Sequence, residues 1–433
     1  MSDNRPSWTS RYSFILAAVG SAVGLGNIWR FPYVMGQNGG AIFLLTYLII
    51  ITTICFVPLL VELAVGKITR KEPVGAYESI HSSFRVLGAM NPITSVLVAS
   101  FYFVVGGWII NYVYLSLVNF KANDYADYFS TFTQNGVFTC LLSLTFLFIC
   151  TYFTARGIKK GIEFANKIMM PVFAIILFAL VIYSLNLPDA YLGLEYMFKP
   201  DFSKINSHMF LSALGQAFFT LSIGMGALLT YGSYIKEDKS LAQSAYSIIF
   251  FDTIFALSAG IMIFPAIFSF GLEPTSGAGL VFVTLPHIFS QMAFGNIVSA
   301  LFFVLLLFAA LTSGISLMET CIASFIERLK FTRIKASIVL FLIISILSIL
   351  ATLSFGVLKD FTICQKSIFD FLDFITANIM MPLNALILCL IANYGLKLKG
   401  EMFIKNKFIA KSFDIVLRFV IPIILIWLLV IGL

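Results

Sequence analysis

The chain is poor in charge. Of its 433 residues only 11% are Asp, Glu, Lys or Arg, whereas 60% are hydrophobic. Soluble domains carry about a quarter charged residues, so a soluble globular fold is excluded. Histidine is scarcer still. His81, His208 and His287 are the three, each near a span end or in a loop, and they make no catalytic constellation. The six cysteines (Cys55, Cys140, Cys150, Cys321, Cys364, Cys389) are scattered, with no CxxC or Cys/His spacing of a metal site. They read as small hydrophobes. No P-loop occurs, which argues against ATP-driven transport. The apolar runs are long and continuous, unlike the short alternating strands of a membrane β-barrel. The short polar N-terminus is expected to carry no cleavable signal peptide.

What is present is a polytopic helical membrane protein, with mean hydropathy +0.97. A spanning helix needs roughly 20 apolar residues. About eleven spans are expected, near 12–37, 41–66, 89–118, 137–154, 163–185, 209–235, 241–270, 297–326, 334–355, 367–394 and 413–433. A helical stretch near 279–292, with Pro286 and His287, reads as a re-entrant or external hairpin. The formal charge of +7 points to no nucleic-acid partner, because the basic residues sit in alternate short loops. Arg5 and Arg11 precede span one. Lys67, Arg70, Lys71 and Arg85 follow span two, Arg156, Lys159 and Lys160 follow span four, and Arg328, Lys330, Arg333 and Lys335 follow span eight. Lys397, Lys399, Lys405, Lys407 and Lys411 follow span ten. The opposite loops hold fewer basic residues and several acids. The positive-inside rule then gives a cytoplasmic N-terminus and an external C-terminus.

Two spans are interrupted. Span one contains "SAVGLGN" (21–27) and span six "TLSIGMGA" (220–227). Each has a Gly-x-Gly pair near mid-span, and glycine is a poor helix interior. They lie five spans apart, so the second would enter from the opposite side. Interrupted helices at corresponding positions point to an inverted repeat with its binding site at the breaks. Freed carbonyls suit a hard cation such as Na⁺, and amides at a half-helix N-terminus suit a carboxylate. A zwitterionic amino acid with Na⁺ would satisfy both sets.

At these residues the chain resembles the neurotransmitter:sodium symporter family, in its bacterial amino-acid transporter branch. "WTSRYSFILAAVGSAVGLGNIWRFPYVMGQNGGAIF" (8–43) looks like the family's opening. "GQAFFTLSIGMGALLTYGSY" (215–234) resembles its sixth helix, "FAALTSGISLMET" (308–320) its eighth, and "VTLPHIFSQM" its external hairpin. The resemblance implies the LeuT-like fold, an all-α membrane protein of about eleven transmembrane helices with a five-plus-five inverted repeat and broken helices 1 and 6. Residues 1–11 would form a cytoplasmic segment, 12–185 the first repeat, 209–394 the second, and 413–433 helix 11. Substrate and ions would bind between a bundle of helices 1, 2, 6 and 7 and a scaffold of 3, 4, 8 and 9.

The resemblance also implies ligands. Sodium site one would use Ala22, Asn27, Thr220 and Asp252. Site two would use Gly20, Val23, Ala309, Thr312 and Ser313. Chloride-dependent members have a neutral asparagine at the position of Asp252, so no chloride is expected as a cofactor here. The amides of Leu25 and Gly26 and the Tyr102 hydroxyl would hold a substrate carboxylate. Carbonyls of Ala22, Phe219 and Thr220, with Ser222 Oγ, would hold its ammonium. Val98, Tyr102, Phe219, Met225, Ser313 and Leu317 would surround its side chain. Met225 is unbranched and can repack, so the expected substrate is a hydrophobic, including aromatic, L-amino acid. Gly24 stands where amine carriers have an acid. An outer gate would pair Arg30 with Asp373. An inner gate would comprise Arg5, Trp8, Glu327, Ser233 and Tyr234, with Arg5 paired to Glu327. Gly161 and Pro171 mark either a segment that unwinds or a plain helix start with a later proline kink. Glu62, in span two, reads as a hydrogen-bonded structural acid.

The function expected is Na⁺-coupled symport by alternating access in a cell membrane, the bacterial inner membrane, with the lipid bilayer as surroundings. A monomer suffices for it. The alternative is an amino-acid-binding membrane sensor or channel on the same scaffold. A membrane enzyme lacks a catalytic centre.

Overall fold

The computed structural model describes residues 6–119, 121–236, 240–272 and 279–432. Among these the chain is helical, and the one β pairing is an isolated bridge between Ile363 and Lys366. A first helix, α1 (Arg11–Ala22), is followed by α2 (Gly26–Gln37), bent from it by 47°. Then come α3 (Ala41–Thr69), α4 (Pro73–Ile80), α5 (Ser82–Leu117), α6 (Tyr125–Gln134), α7 (Gly136–Ala155) and α8 (Ile158–Leu185). The second half has α9 (Ala190–Phe198), α10 (Ser207–Thr220), α11 (Ala227–Ser233), α12 (Leu241–Ser269) and α13 (Leu280–Gln291). It ends with α14 (Gly295–Leu329), α15 (Arg333–Leu353), α16 (Ile368–Gly395) and α17 (Lys407–Ile431).

Nine of the described helices are long and apolar enough to cross a membrane, and the bent pair α1–α2 makes a tenth. The pair α10–α11 stands where the sixth span is expected. Its two pieces are short because six residues separate them. Burial orders the spans. The most apolar windows of α3 and α5 are 72% and 78% buried against other helices, whereas that of α17 is 22% buried. The former lie at the centre and the latter at the rim. Several helices run past their apolar stretch. α5 begins at Ser82 rather than near residue 89, because the polar residues before the apolar run continue the helix into the interface.

Local chemistry explains both interruptions. α1 starts with Ser10 as N-cap, its Oγ accepting from Ser13 N at 3.1 Å. It stops because Val23 turns extended (φ −75°, ψ 99°). α10 stops at Thr220, and Ser222, Gly224 and Gly226 take φ of +54°, +84° and +76°. That left-handed region is cheap for glycine and costly for other residues. A Cβ on Gly224 would also lie 2.3 Å from Met381 O. Between Gly157 (φ +83°) and Phe164, residues Ile158–Glu163 form a π-helical turn continuous with a helix that contains Pro171. The segment near Gly161 is therefore wound in this structure.

The two ends differ. One gathers the chain before α1, the starts of α4, α8 and α15, and the ends of α7, α11 and α14. There Trp8 N donates to Tyr234 O at 3.3 Å, and Arg333 Nη1 to Thr154 O at 2.8 Å. The basic loops at Lys71, Arg156, Arg328 and Arg333 share this end. At the other, α6 and α13 lie over α5. Tyr112 Oη donates to Phe282 O at 2.6 Å, and the rings of Phe129 and Phe282 stack at 5.5 Å.

Candidate functional site

Interrupting a helix in hydrocarbon leaves backbone groups that must find partners inside the protein. Here side chains supply them. The Gly224 amide donates to Glu62 Oε1 at 2.8 Å. Asn384 Nδ2 donates to Gly224 O at 2.8 Å and to Thr94 Oγ1 at 2.9 Å. Ser95 Oγ donates to Met225 O at 2.8 Å. Across the two breaks, Gln216 Nε2 donates to Gly26 O at 2.8 Å and Ser222 Oγ to Ser21 O at 3.2 Å. The Gly24 amide donates to Asn27 Oδ1 at 3.0 Å.

Between the breaks lies a cavity lined by thirteen residues. It brings together Ala22, Leu25, Gly26, Val98, Tyr102, Phe219, Thr220, Ser222, Met225, Ser313 and Leu317, all expected there, and adds Ser21 and Gly24. No side chain in this set is charged. The Tyr102 hydroxyl is buried at the cavity wall, beside Ser313 and the Leu25 backbone. The first N–H groups of a helix have no intrahelical acceptor; in α2 that of Asn27 donates to Gly24 O at 3.2 Å, which leaves those before it. Together these are donors for an anionic group at the half-helix N-terminus, where the helix dipole favours one. Gly24 is tightly boxed, since a Cβ there would lie 2.4 Å from Ser313 Oγ and 3.2 Å from Tyr102 Oη.

Beside the cavity Asp252 is fully buried. Asn27 Nδ2 donates to its Oδ1 at 2.8 Å, Thr220 Oγ1 to the same oxygen at 3.0 Å, and Tyr47 Oη to its Oδ2 at 3.4 Å. All three donors are neutral. Among the described residues no Lys, Arg or His pairs with this carboxylate. A buried acid is costly unless a cation or further donors compensate it, and the neighbouring oxygens are hard ligands. On the other side of α1, Ser313 Oγ reaches Gly20 O and Ser21 O, each at 3.3 Å. Thr312 Oγ1 donates to Ala309 O at 3.0 Å. The carbonyls of Gly20 and Ser21 near the end of α1 thus face the Ser313 hydroxyl of α14. Both oxygen clusters fit Na⁺ in ligand chemistry. Among the described residues no group of His, Cys, Asp and Glu suits a transition metal.

Of the two expected gate pairs, Arg30 and Asp373 can be located together, and Arg5 cannot. Arg30 and Asp373 line a common cavity of about 260 Å³ outside the central one, with Trp29, Tyr33, Trp108 and Phe219. They do not form an ion pair. The Arg30 guanidinium lies 4.4 Å over the Phe219 ring, and its Nη1 is buried without a partner. Cation–π contact with Phe219 replaces the pair while the space between arginine and acid is open. At the opposite end Trp8 Nε1 donates to Tyr231 O at 3.0 Å, and its ring meets Tyr231 edge-on at 5.1 Å. Ser233 Oγ donates to Thr230 O at 2.5 Å, and Tyr234 Oη to Glu319 Oε1 at 2.8 Å. Glu327 Oε2 accepts from Glu72 N at 3.3 Å. Arg5 lies outside the described residues, and with it the expected Arg5–Glu327 pair.

Some residues here went unassigned in the sequence. Glu319 forms a two-pronged ion pair with Arg333, Nη1 to Oε2 and Nη2 to Oε1, both at 2.8 Å. Glu163 accepts from Thr9 N at 2.8 Å and Thr9 Oγ1 at 2.5 Å, holding the chain before α1 against α8. Gln216, Asn384, Thr94 and Ser95 stitch the breaks. A polar residue inside an apolar run was the available signal for Glu319, Gln216 and Asn384.

The comparisons with known proteins converge on this architecture. The model of the sodium:neurotransmitter symporter family matches residues 5–128 and 124–433. The sodium-dependent transporter YhdH of Bacillus subtilis is 37% identical over 449 residues, covering 100% of this chain and 99% of its own length. A sodium-dependent transporter of Haemophilus influenzae is 35% identical over 97% of this chain and 96% of its own length. The crystal structure of MhsT in complex with L-phenylalanine superposes with a TM-score of 0.91 at 41% identity, covering 99% of this chain and 100% of that one.

Proposed function

The chain belongs to the sodium:neurotransmitter symporter family and is a sodium-dependent secondary transporter, not an enzyme; we propose that it imports a hydrophobic L-amino acid, aromatic ones included, by alternating access and without chloride. The observation that carries this reading is the uncharged cavity between the two breaks, with an unpaired carboxylate beside it. A free amino acid presents a carboxylate, an ammonium and a side chain. The Tyr102 hydroxyl and the first amides of α2 suit the carboxylate. Carbonyls freed at the breaks and Ser222 suit the ammonium. Val98, Phe219, Met225 and Leu317 suit an apolar side chain. An amine lacking a carboxylate would need a pocket acid, and Gly24 leaves no room for one. The phenylalanine bound by MhsT supports the same class of substrate.

Asp252, with Ala22, Asn27 and Thr220, forms the proposed first sodium site. Gly20, Val23, Ala309, Thr312 and Ser313 form the second. The fixed negative charge of Asp252 compensates Na⁺ directly, which removes the need for a bound anion. Each charge crossing 100 mV is worth about 2.3 kcal/mol. Two Na⁺ with a neutral zwitterion give about 4.6 kcal/mol, or accumulation on the order of a thousandfold at 1.4 kcal/mol per decade. We place the N-terminus and the basic loops in the cytoplasm of a bacterial inner membrane.

The test is uptake into proteoliposomes with an inward Na⁺ gradient, using labelled phenylalanine, tyrosine, tryptophan, leucine and alanine, with K⁺ replacing Na⁺ as control. Concentrative Na⁺-dependent uptake of a hydrophobic amino acid is expected. Tight Na⁺-dependent binding without uptake would establish a sensor on this scaffold instead.

A further inference from the structure

A groove of about 560 Å³ opens on the outer surface of the bundle between α5, α14 and α15. Its walls carry Val86, Ile93 and Leu329, which are 74%, 51% and 52% exposed. Contiguous exposed apolar surface on a membrane protein is surface that meets lipid. At the floor α5 and α14 touch, where Cys321 Sγ donates to Pro92 O at 3.3 Å. Arg85 and Leu97 both line the groove, and between them α5 rises about 18 Å at 1.5 Å per residue. One leaflet of a hydrocarbon core about 30 Å thick spans about 15 Å. The groove thus has the length of an acyl chain in the leaflet at the end where the basic loops gather.

The mouth of the groove is charged. Two guanidiniums, Arg85 and Arg328, stand there, and they are satisfied to different degrees. Arg328 Nε donates to Glu72 Oε1 at 2.7 Å and its Nη1 to Glu78. Arg85 is exposed and makes no ion pair among the described residues. The acid in its field is Glu78, whose carboxylate Arg328 already holds. Arg85 also stands near the start of α5, where the helix dipole favours an anion. A guanidinium fork matches a phosphate. Basic residues at the rim of a pocket between membrane helices select anionic lipid headgroups. An apolar slot one leaflet long, with an unpaired arginine at its mouth, is complementary to a phospholipid of net negative charge.

We propose that this groove seats one anionic phospholipid, with an acyl chain along α5 and α14 and the phosphate on Arg85. The inference is independent of which amino acid or ion the central cavity takes. The full-length protein, stripped of lipid in a neutral detergent, is titrated with dioleoyl phosphatidylglycerol, with dioleoyl phosphatidylcholine, or with glycerol phosphate, a head without chains. Bound molecules are counted by native mass spectrometry. The first phosphatidylglycerol is expected to bind about fivefold more tightly than the first phosphatidylcholine, and glycerol phosphate is expected not to bind in the same range. Arg85→Gln should bring the two lipids within about twofold of each other. Lys159→Gln, the same loss of charge at an exposed position of the same end, should keep the parent's selectivity. Ala89→Trp, which fills the groove, should weaken phosphatidylglycerol about fivefold or more. Equal binding of the two lipids by the parent, or selectivity retained in Arg85→Gln, overturns the inference. Glycerol phosphate binding as tightly as the lipid, or full affinity in Ala89→Trp, would leave an anion on Arg85 with no chain in the groove and overturns it as well. Should Ala89→Trp fail to fold, Arg85→Gln and the chainless head decide.

Discussion

The Gly224 amide and the Glu62 carboxylate meet at 2.8 Å, and this contact anchors the interruption between α10 and α11 to α3. Gly224, at φ +84° between the two helices, has its N–H taken up by Glu62 rather than by a helical carbonyl. Glu62→Gln can turn an amide oxygen onto the same N–H, whereas Glu62→Leu cannot. Stranding that buried donor costs about 1–3 kcal/mol, or about five- to a hundredfold in affinity. Equilibrium binding of the labelled amino acid in Na⁺ should fall by that range in Glu62→Leu and by much less in Glu62→Gln. Equal behaviour of the two variants would remove Glu62 from the architecture of the site.

Gly24 should tolerate nothing larger. A Cβ would lie 2.4 Å from Ser313 Oγ, a hydroxyl that also reaches Gly20 O. Gly24→Ala must push Ser313 away, disturbing the cavity and the second oxygen cluster together. Overpacking of this kind costs about 1–3 kcal/mol. The measurement is paired: Na⁺ titration and amino-acid binding on the same preparation. Both should weaken about tenfold or more, while Gly215→Ala, with nothing within 4 Å of its added Cβ, should change neither.

The interruptions were legible because a Gly-x-Gly pair in an apolar run is a local signal, and the cavity residues follow from where those pairs fall. The stitching was not. Glu62 was visible as an acid inside a span, and so were Gln216 and Asn384 as amides. An isolated polar residue announces that a partner exists without naming it, and here the partners are 162, 190 and 160 positions away. Only packing of α3, α16 and the two breaks brings them together. Arg30 illustrates the same limit. Its charge drew attention to Asp373, yet the nearer attraction is the Phe219 face, which charge pattern alone does not reveal.

The inner end should open when Trp8 is cut back. Its indole donates to Tyr231 O and packs edge-on against that ring, with Phe14 at 6.0 Å on its flank. Full burial of such a ring is worth about 3–5 kcal/mol, and Trp8 is half-buried, so Trp8→Ala should release somewhat less. Ser233, fully buried behind it, provides the reporter as Ser233→Cys, in a background where the exposed Cys364 is replaced by serine. Labelling by a polar maleimide should accelerate about tenfold with Trp8→Ala, and Trp8→Phe should fall between. An unchanged rate would show that Trp8 does not close this end.

Asp252 decides the anion question. Parent uptake should be the same in chloride and in gluconate, because the carboxylate already supplies the negative charge. Asp252→Asn removes that charge but leaves Asn27 Nδ2, Thr220 Oγ1 and Tyr47 Oη, three donors that now converge on a neutral group. Losing the charge from a buried ion site costs about 3–5 kcal/mol, enough to suppress Na⁺-driven uptake more than a hundredfold in gluconate. Convergent donors beside Na⁺ are what a halide needs, so added chloride should recover part of the lost rate in Asp252→Asn and none in the parent. Chloride-stimulated uptake by the parent would mean that Asp252 does not supply the compensating charge and that Na⁺ is compensated elsewhere.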